Sequence, residues 1–190
     1  YITGMVQTSS ETYWATTYDG DLLRFDGGNW RMLPVTHPSQ PNFNGLCRDS
    51  SGRFWLIGEQ GLFTYQPGET KFREFNFQDE LQALVFSLMP DAKGRMWAAT
   101  SNGVFCFDPI NGKIDMKSHG LEGSVVRDIF QDREGNIWFG SYDDGMFKFR
   151  GETFTHLRTE HGLYEKSVFS ILKDQRGDYW FSYIPGGLDR

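Results

Sequence analysis

The chain has 190 residues, with Lys+Arg 19 against Asp+Glu 25, a formal net charge of -6 and a pI near 5.2. That acidic balance excludes the basic face expected of a nucleic-acid binder. No apolar run is long enough to span a bilayer, so no membrane contact is expected within this segment.

Read in chain order, the sequence repeats itself. It begins within what should be an innermost strand, Met5 to Gln7, which leads to Thr8-Ser-Ser-Glu-Thr-Tyr-Trp14. The phrase returns in fuller form as Asp49-Ser-Ser-Gly52-Arg-Phe-Trp55 and as Asp91-Ala-Lys-Gly94-Arg-Met-Trp97. It comes twice more, as Asp132-Arg-Glu-Gly135-Asn-Ile-Trp138 and Asp174-Gln-Arg-Gly177-Asp-Tyr-Trp180. The five tryptophans stand 41, 42, 41 and 42 residues apart. A fixed period of this length signals stacked copies of one supersecondary unit.

Each copy predicts four strands. A short apolar strand (Val85 to Met89, Val125 to Phe130, Val168 to Leu172) runs into the Asp-x-x-Gly step. That step reads as a hairpin turn, because Asp bonds forward to its own backbone and Gly accepts a positive φ. The tryptophan strand follows (Phe54 to Ile57, Met96 to Ala99, Ile137 to Gly140). After a second turn comes a strand of alternating aromatics: Phe63 and Tyr65, Phe105 and Phe107, Phe147 and Phe149. A weaker fourth strand closes the unit (Phe72 to Phe75, Ile114 to Lys117, Phe154 to Leu157). No stretch shows helical periodicity.

Four strands per period of about 40 residues is the blade of an all-β β-propeller. The blades are placed at about 1–35, 42–76, 84–118, 124–159 and 166–190, the last incomplete. The reading is one propeller segment over residues 1–190, with four complete blades and part of a fifth. It is expected to belong to a larger propeller; seven blades at this period need roughly 290 residues. Cys47 and Cys106 fall in different blades and non-equivalent strands, where the reach of a disulfide, about 7 Å between Cα atoms, is not met. They read as two buried thiols.

The repeated phrase, with its following Gly-(Leu/Met/Val)-Phe-x-(Phe/Tyr), resembles the two-component regulator propeller repeat. The clearest copy spans Asp132 to Phe149, and the His-Gly-Leu often found before a blade stands at His119-Gly120-Leu121 and His161-Gly162-Leu163. The resemblance covers nearly the whole chain; the first copy departs from it, having lost both Asp and Gly from the turn. It implies a periplasmic sensor propeller of a bacterial inner-membrane receptor, with a kinase or cyclase in a module outside this chain. It also implies an oligosaccharide or small-molecule ligand, a homodimer through the parent receptor, no cofactor, and no catalysis by this segment.

A residue type that recurs in every copy serves the copy, so function is expected where copies differ. The loops between second and third strands share a face with the inter-blade loops, opposite the Asp-x-x-Gly turns. Ligand-binding candidates there are Tyr18, Asp19, Glu59, Gln60, Asn102, Tyr142, Asp143, Asp144 and Tyr183. Rings beside carboxylates and amides suit sugars: the ring covers the apolar face of a pyranose while the polar groups bond its hydroxyls. His119 and His161 join them from the inter-blade loops, as does His37. Recurrence of two of these at one repeat position favours a structural role over catalysis.

No loop concentrates His, Asp and Glu into a metal site, and the four turn aspartates stand one per blade, too dispersed for calcium. No nucleophile motif or phosphate loop is present. Two other readings remain at this point. One is a protein-interaction platform using Phe77, Leu81 and Leu84; the other is a propeller lyase or hydrolase using His119 or His161, with Glu160 and Glu165 near the latter.

Overall fold

The Asp-x-x-Gly step folds as the local sequence dictates, and it does more than turn the chain. In the computed structural model Asp49 Oδ1 accepts the backbone N–H of Ser51 (2.9 Å) and of Arg53 (3.1 Å), while Gly52 takes φ 87°. The other oxygen, Oδ2, accepts the indole N–H of Trp55 at 2.8 Å. The same clasp joins Asp91 to Trp97 (3.1 Å), Asp132 to Trp138 (2.8 Å) and Asp174 to Trp180 (3.0 Å). One carboxylate thus closes the hairpin and fixes the rotamer of the largest side chain in the blade. The aspartates expected to serve only the turn also anchor the core.

The structure describes residues 1–36, 42–59, 61–75, 83–117, 121–151 and 153–190. Among the described residues the structure is all-β apart from one 3₁₀ turn at Thr159–His161. Two compact units divide the chain, Tyr1–Leu84 and Val85–Arg190, and the boundary falls between blades.

The first unit holds two four-stranded antiparallel meanders. One is β1 (Ile2–Ser9), β2 (Thr12–Thr17), β3 (Leu22–Asp26) and β4 (Trp30–Met32); the other is β5 (Phe43–Arg48), β6 (Phe54–Gly58), β7 (Gly61–Tyr65) and β8 (Arg73–Phe75). Trp14 lies across the joint between them, 4.4 Å from the Phe54 ring and 6.1 Å from Tyr65. With Phe43, Leu56 and Phe63 these form the unit's core. Thr8 stands where the other copies have Asp, and Arg24 covers the Trp14 ring at 5.3 Å.

The second unit holds three blades. The third is β9 (Val85–Pro90), β10 (Met96–Thr100), β11 (Gly103–Phe107) and β12 (Ile114–Lys117), and the fourth is β13 (Val126–Gln131), β14 (Ile137–Ser141), β15 (Met146–Arg150) and β16 (Thr153–Leu157). The last is a three-stranded sheet of β17 (Val168–Lys173), β18 (Tyr179–Tyr183) and β19 (Leu188–Asp189). Trp97 packs on Phe139 (5.6 Å) and Phe149 (5.3 Å) of the next blade, and Trp138 on Tyr179 (5.6 Å) of the one after. Trp14, Trp97 and Trp138 each serve the joint to the following sheet, a contact that wide flat side chains suit. Cys47 and Cys106 are free thiols, and Cys106 is buried.

Candidate functional site

The loop face is built by the backbone within each unit. In the first, the amide of Tyr18 donates to Tyr1 O (3.0 Å) and that of Glu59 to Asn42 O (3.2 Å). In the second, Gly103 N donates to Ser124 O (2.8 Å), Tyr142 N to Val125 O (2.8 Å) and Ile184 N to Ser167 O (3.1 Å). Every one of these bonds ties a loop between second and third strands to the segment entering an innermost strand. The two kinds of loop share a face, as the topology requires.

The first unit brings two of the candidates, Tyr18 and Glu59, into contact. Tyr18 stacks on Tyr1 with ring centroids 5.1 Å apart and planes 14° from parallel. Its hydroxyl donates to Glu59 Oε1 at 3.1 Å, across the joint between blades. The hydrogen bond to Glu59 and its negative charge hold the Tyr18 phenol above its usual value. Asp19 is exposed beside them, and Gln60 lies outside the described residues. The result is a two-ring platform edged by a carboxylate and, through Asn42, an amide. Tyr1, which contributes half the platform, carries no repeat signature that would have marked it.

The second unit distributes the rest. Asn102 Oδ1 accepts the Gly123 amide at 3.1 Å, so this side chain secures the adjoining loop. Tyr142 is 42% exposed, with Arg127 over its ring at 5.6 Å, and Asp143 is exposed beside it. Asp144 is already engaged. Its amide donates to Ser141 Oγ at 2.7 Å, and its Oδ1 lies 3.3 Å from His156 Nε2 and 3.4 Å from Arg158 Nη2. His156 stacks flat on Phe147 at 4.0 Å. His161 is exposed, and its Nδ1 accepts the Arg158 amide at 3.1 Å.

One expectation needs correcting. Tyr183 does not present its ring on the loop face: it is 4% exposed and packs with Val168 and Ile171. Its hydroxyl faces Asp189 Oδ2 at 3.4 Å, and burial, with the Asp189 charge, pushes its phenol up to about 12. As the last residue of β18 it follows the strand's alternation into the core. His37, His119, Phe77 and Leu81 lie outside the described residues, while Leu84 is 58% exposed.

Two polar groups absent from the expected set prove central. Asp128, in β13, accepts Ser170 Oγ (3.0 Å) and the Ile171 amide (2.9 Å) on one oxygen, and Ser87 Oγ (3.3 Å) and the Ile129 amide (2.9 Å) on the other. It pins three innermost strands together, and burial holds its carboxyl above the usual range. The second group is Arg127, its neighbour. The signal for both was their position beside the loops, where the copies differ.

Among the described residues no three His, Cys, Asp or Glu side chains converge on a metal position, and no helix is long and apolar enough to cross a membrane.

Residues 120–143 match the two component regulator propeller family. No curated protein sequence matches the chain. Among solved structures, it superposes on the extracellular domains of two systems from B. thetaiotaomicron assigned as hybrid two component systems. The TM-scores are 0.79 and 0.75, at 17% and 21% identity. The matches take in 98% and 96% of this chain but 26% and 25% of those domains, so the chain spans about a quarter of their length. Virginiamycin B lyase from Staphylococcus aureus is also similar, with TM-score 0.75 at 14% identity over 99% of this chain and 68% of that one. At such identities the likeness is one of fold. The chain has a β-propeller fold, and its residues 120–143 are similar to the two component regulator propeller repeat.

Proposed function

We propose that this chain is the ligand-binding part of an extracytoplasmic sensor, taking an oligosaccharide or another small molecule on its loop face without turning it over. The observation that carries the reading is the platform of Tyr1 and Tyr18 beside Glu59, drawn from two blades onto that face. Stacked rings cover the apolar face of a pyranose, and a carboxylate at their edge bonds its hydroxyls. The division of labour along the repeat supports it: the Asp–Trp clasp recurs at the turns, while the loop-face residues change from copy to copy. The family match supports a place in two-component signalling, and the extracellular setting of the similar domains supports the location. A homodimer through the parent receptor belongs to the same reading.

The test is a panel of neutral and acidic oligosaccharides titrated calorimetrically into the 190-residue chain. The expected result is saturable heat for at least one member, lost in Tyr18→Ala with the fold intact, and no change in the sugar's mass after prolonged incubation. Silence across the panel, or cleavage of a member, would sink the reading.

A further inference from the structure

In every blade the innermost strand carries one residue too many for its partner. Val126 pairs with Ser141 and Asp128 with Gly140, so Arg127 faces no residue across the ladder. The same omission falls on Thr3, Asn44, Phe86 and Phe169. These five bulges are spaced 41, 42, 41 and 42 residues apart, the tryptophan period. The backbone irregularity repeats, but the five positions hold four different residue types, with Phe occurring twice. Bulges re-aim a side chain and cluster beside functional sites. Here each sits at the start of an innermost strand, next to the loop face.

Arg127 is the charged member of the set. Its guanidinium lies 4.2 Å from the ring centroid of Phe86, the bulged residue of the preceding blade, and 5.6 Å from that of Tyr142. Its Nε is buried with no hydrogen-bond partner. No ion pair involves Arg127 among the described residues. The adjacent acid, Asp128, is committed to Ser87, Ser170 and the Ile171 amide. Phe169, 49% exposed, stands at the equivalent bulge of the next strand, one residue from the Ser170 that Asp128 holds. A cation is thus fixed between two rings, outside any ion pair among the described residues, in a chain of net charge -6. Guanidinium groups pair with planar oxyanions through two parallel N–H donors, which a hydroxyl cannot match.

We infer that Arg127 recognises the oxyanion of an acidic sugar ring, carboxylated or sulfated, while Tyr142 and Phe169 cover the ring's apolar face. The inference rests on the ligand-binding reading above and narrows its substrate class.

The test uses the ¹⁵N-labelled 190-residue chain and follows the Arg127 Nε–H resonance, identified by its loss in Arg127→Gln. Three probes of equal length are titrated: galacturonate oligomers, sulfated galactose oligomers and neutral galactose oligomers. The expected result is a saturable shift with an acidic series, affinity falling about tenfold in Arg127→Gln, and a further fall with added salt. The acidic series that shifts the resonance identifies the oxyanion. Circular dichroism checks that the variant keeps its fold, and Arg127→Lys, which keeps the charge but not the fork, should recover only part of the affinity. Equal binding of neutral and acidic probes with no effect of Arg127→Gln overturns the inference and leaves the sugar-binding reading standing. Binding of none of the three overturns the inference, and the broader calorimetric panel then decides the reading beneath it.

Discussion

The two units seat their innermost strands by different chemistry at one repeat position. In the first unit that position holds Gly4 and Gly45, and the strands come so close that a Cβ on Gly4 would lie 2.6 Å from Leu46 N. In the second it holds Ser87, Asp128 and Ser170, and a half-buried carboxylate reaches both neighbouring strands. Steric approach seats one pair of blades; a satisfied polar network seats the other three. The difference shows that the joint between blades is a tunable part of the repeat. A polar joint also brings chemistry to the innermost strands: the Asp128 network is where Arg127 stands, and Gly4 and Gly45 hold the equivalent positions in the first unit.

The largest effect should come from filling the steric joint. Gly4→Val puts carbon against backbone that has no room to yield, and should destabilise by about 3 kcal/mol, seen as a lower midpoint in urea. The same joint cannot be converted to the polar kind, so Gly4→Ser should also destabilise. If it were neutral, the two joints would not be distinct.

Breaking the polar joint should come next. Asp128→Ala leaves the Ile171 amide and two serine hydroxyls without their acceptor, a loss of about 2 kcal/mol. Hydrogen exchange should locate that loss in β9, β13 and β17 and spare the first unit.

A matched pair sharpens the contrast at the tryptophans. Trp97→Phe removes the indole N–H that Asp91 accepts and should cost about 2 kcal/mol. Trp14 has Thr8 in place of that acid, so Trp14→Phe should cost about 1 kcal/mol, mostly lost packing. Equal losses would mean that the clasp contributes nothing beyond burial.

The smallest effect is the dependence on pH, and the two classes of carboxyl oppose each other. Burial pushes Asp49, Asp91 and Asp132 up, but hydrogen bonds from Ser51, Trp97 or Asn136 and their neighbours more than offset it; all three sit below the usual range. Their stabilisation is present above about pH 4 and is lost as pH falls through the lowered folded values. Asp128 is raised by burial, so its contribution is present below about pH 4 and lost as pH rises through its folded value. The stability of the natural chain relative to Asp128→Asn should therefore be greatest in acid and shrink toward neutrality. Melting curves of both proteins across that range check the sign.

The blade was legible because its signals are local. Asp49, Gly52 and Trp55 lie within seven residues, so turn and strand declare themselves without reference to the rest of the chain. The loop face was legible in outline, since meander topology sets which connections share a side. Its pairings were less so. The contact of Tyr18 with Glu59 joins residues 41 apart and depends on how two blades abut. Tyr183 looked like a loop residue by composition, yet strand alternation carries its ring inward.

The sequence by itself determined the period, the meander, the Asp-x-x-Gly turns and the aromatic joint filler, all set by short-range backbone preference and hydrophobic alternation. Only the tertiary structure decided that one turn oxygen clasps the indole, that Asp128 pins three strands, and that Arg127 sits on a bulge between two rings. A bulge is a mismatch of register between two strands, and the role of the Asp128 carboxylate depends on donors more than 40 residues away. Neither leaves a mark in any one window of residues; both exist only once the sheets have paired and packed.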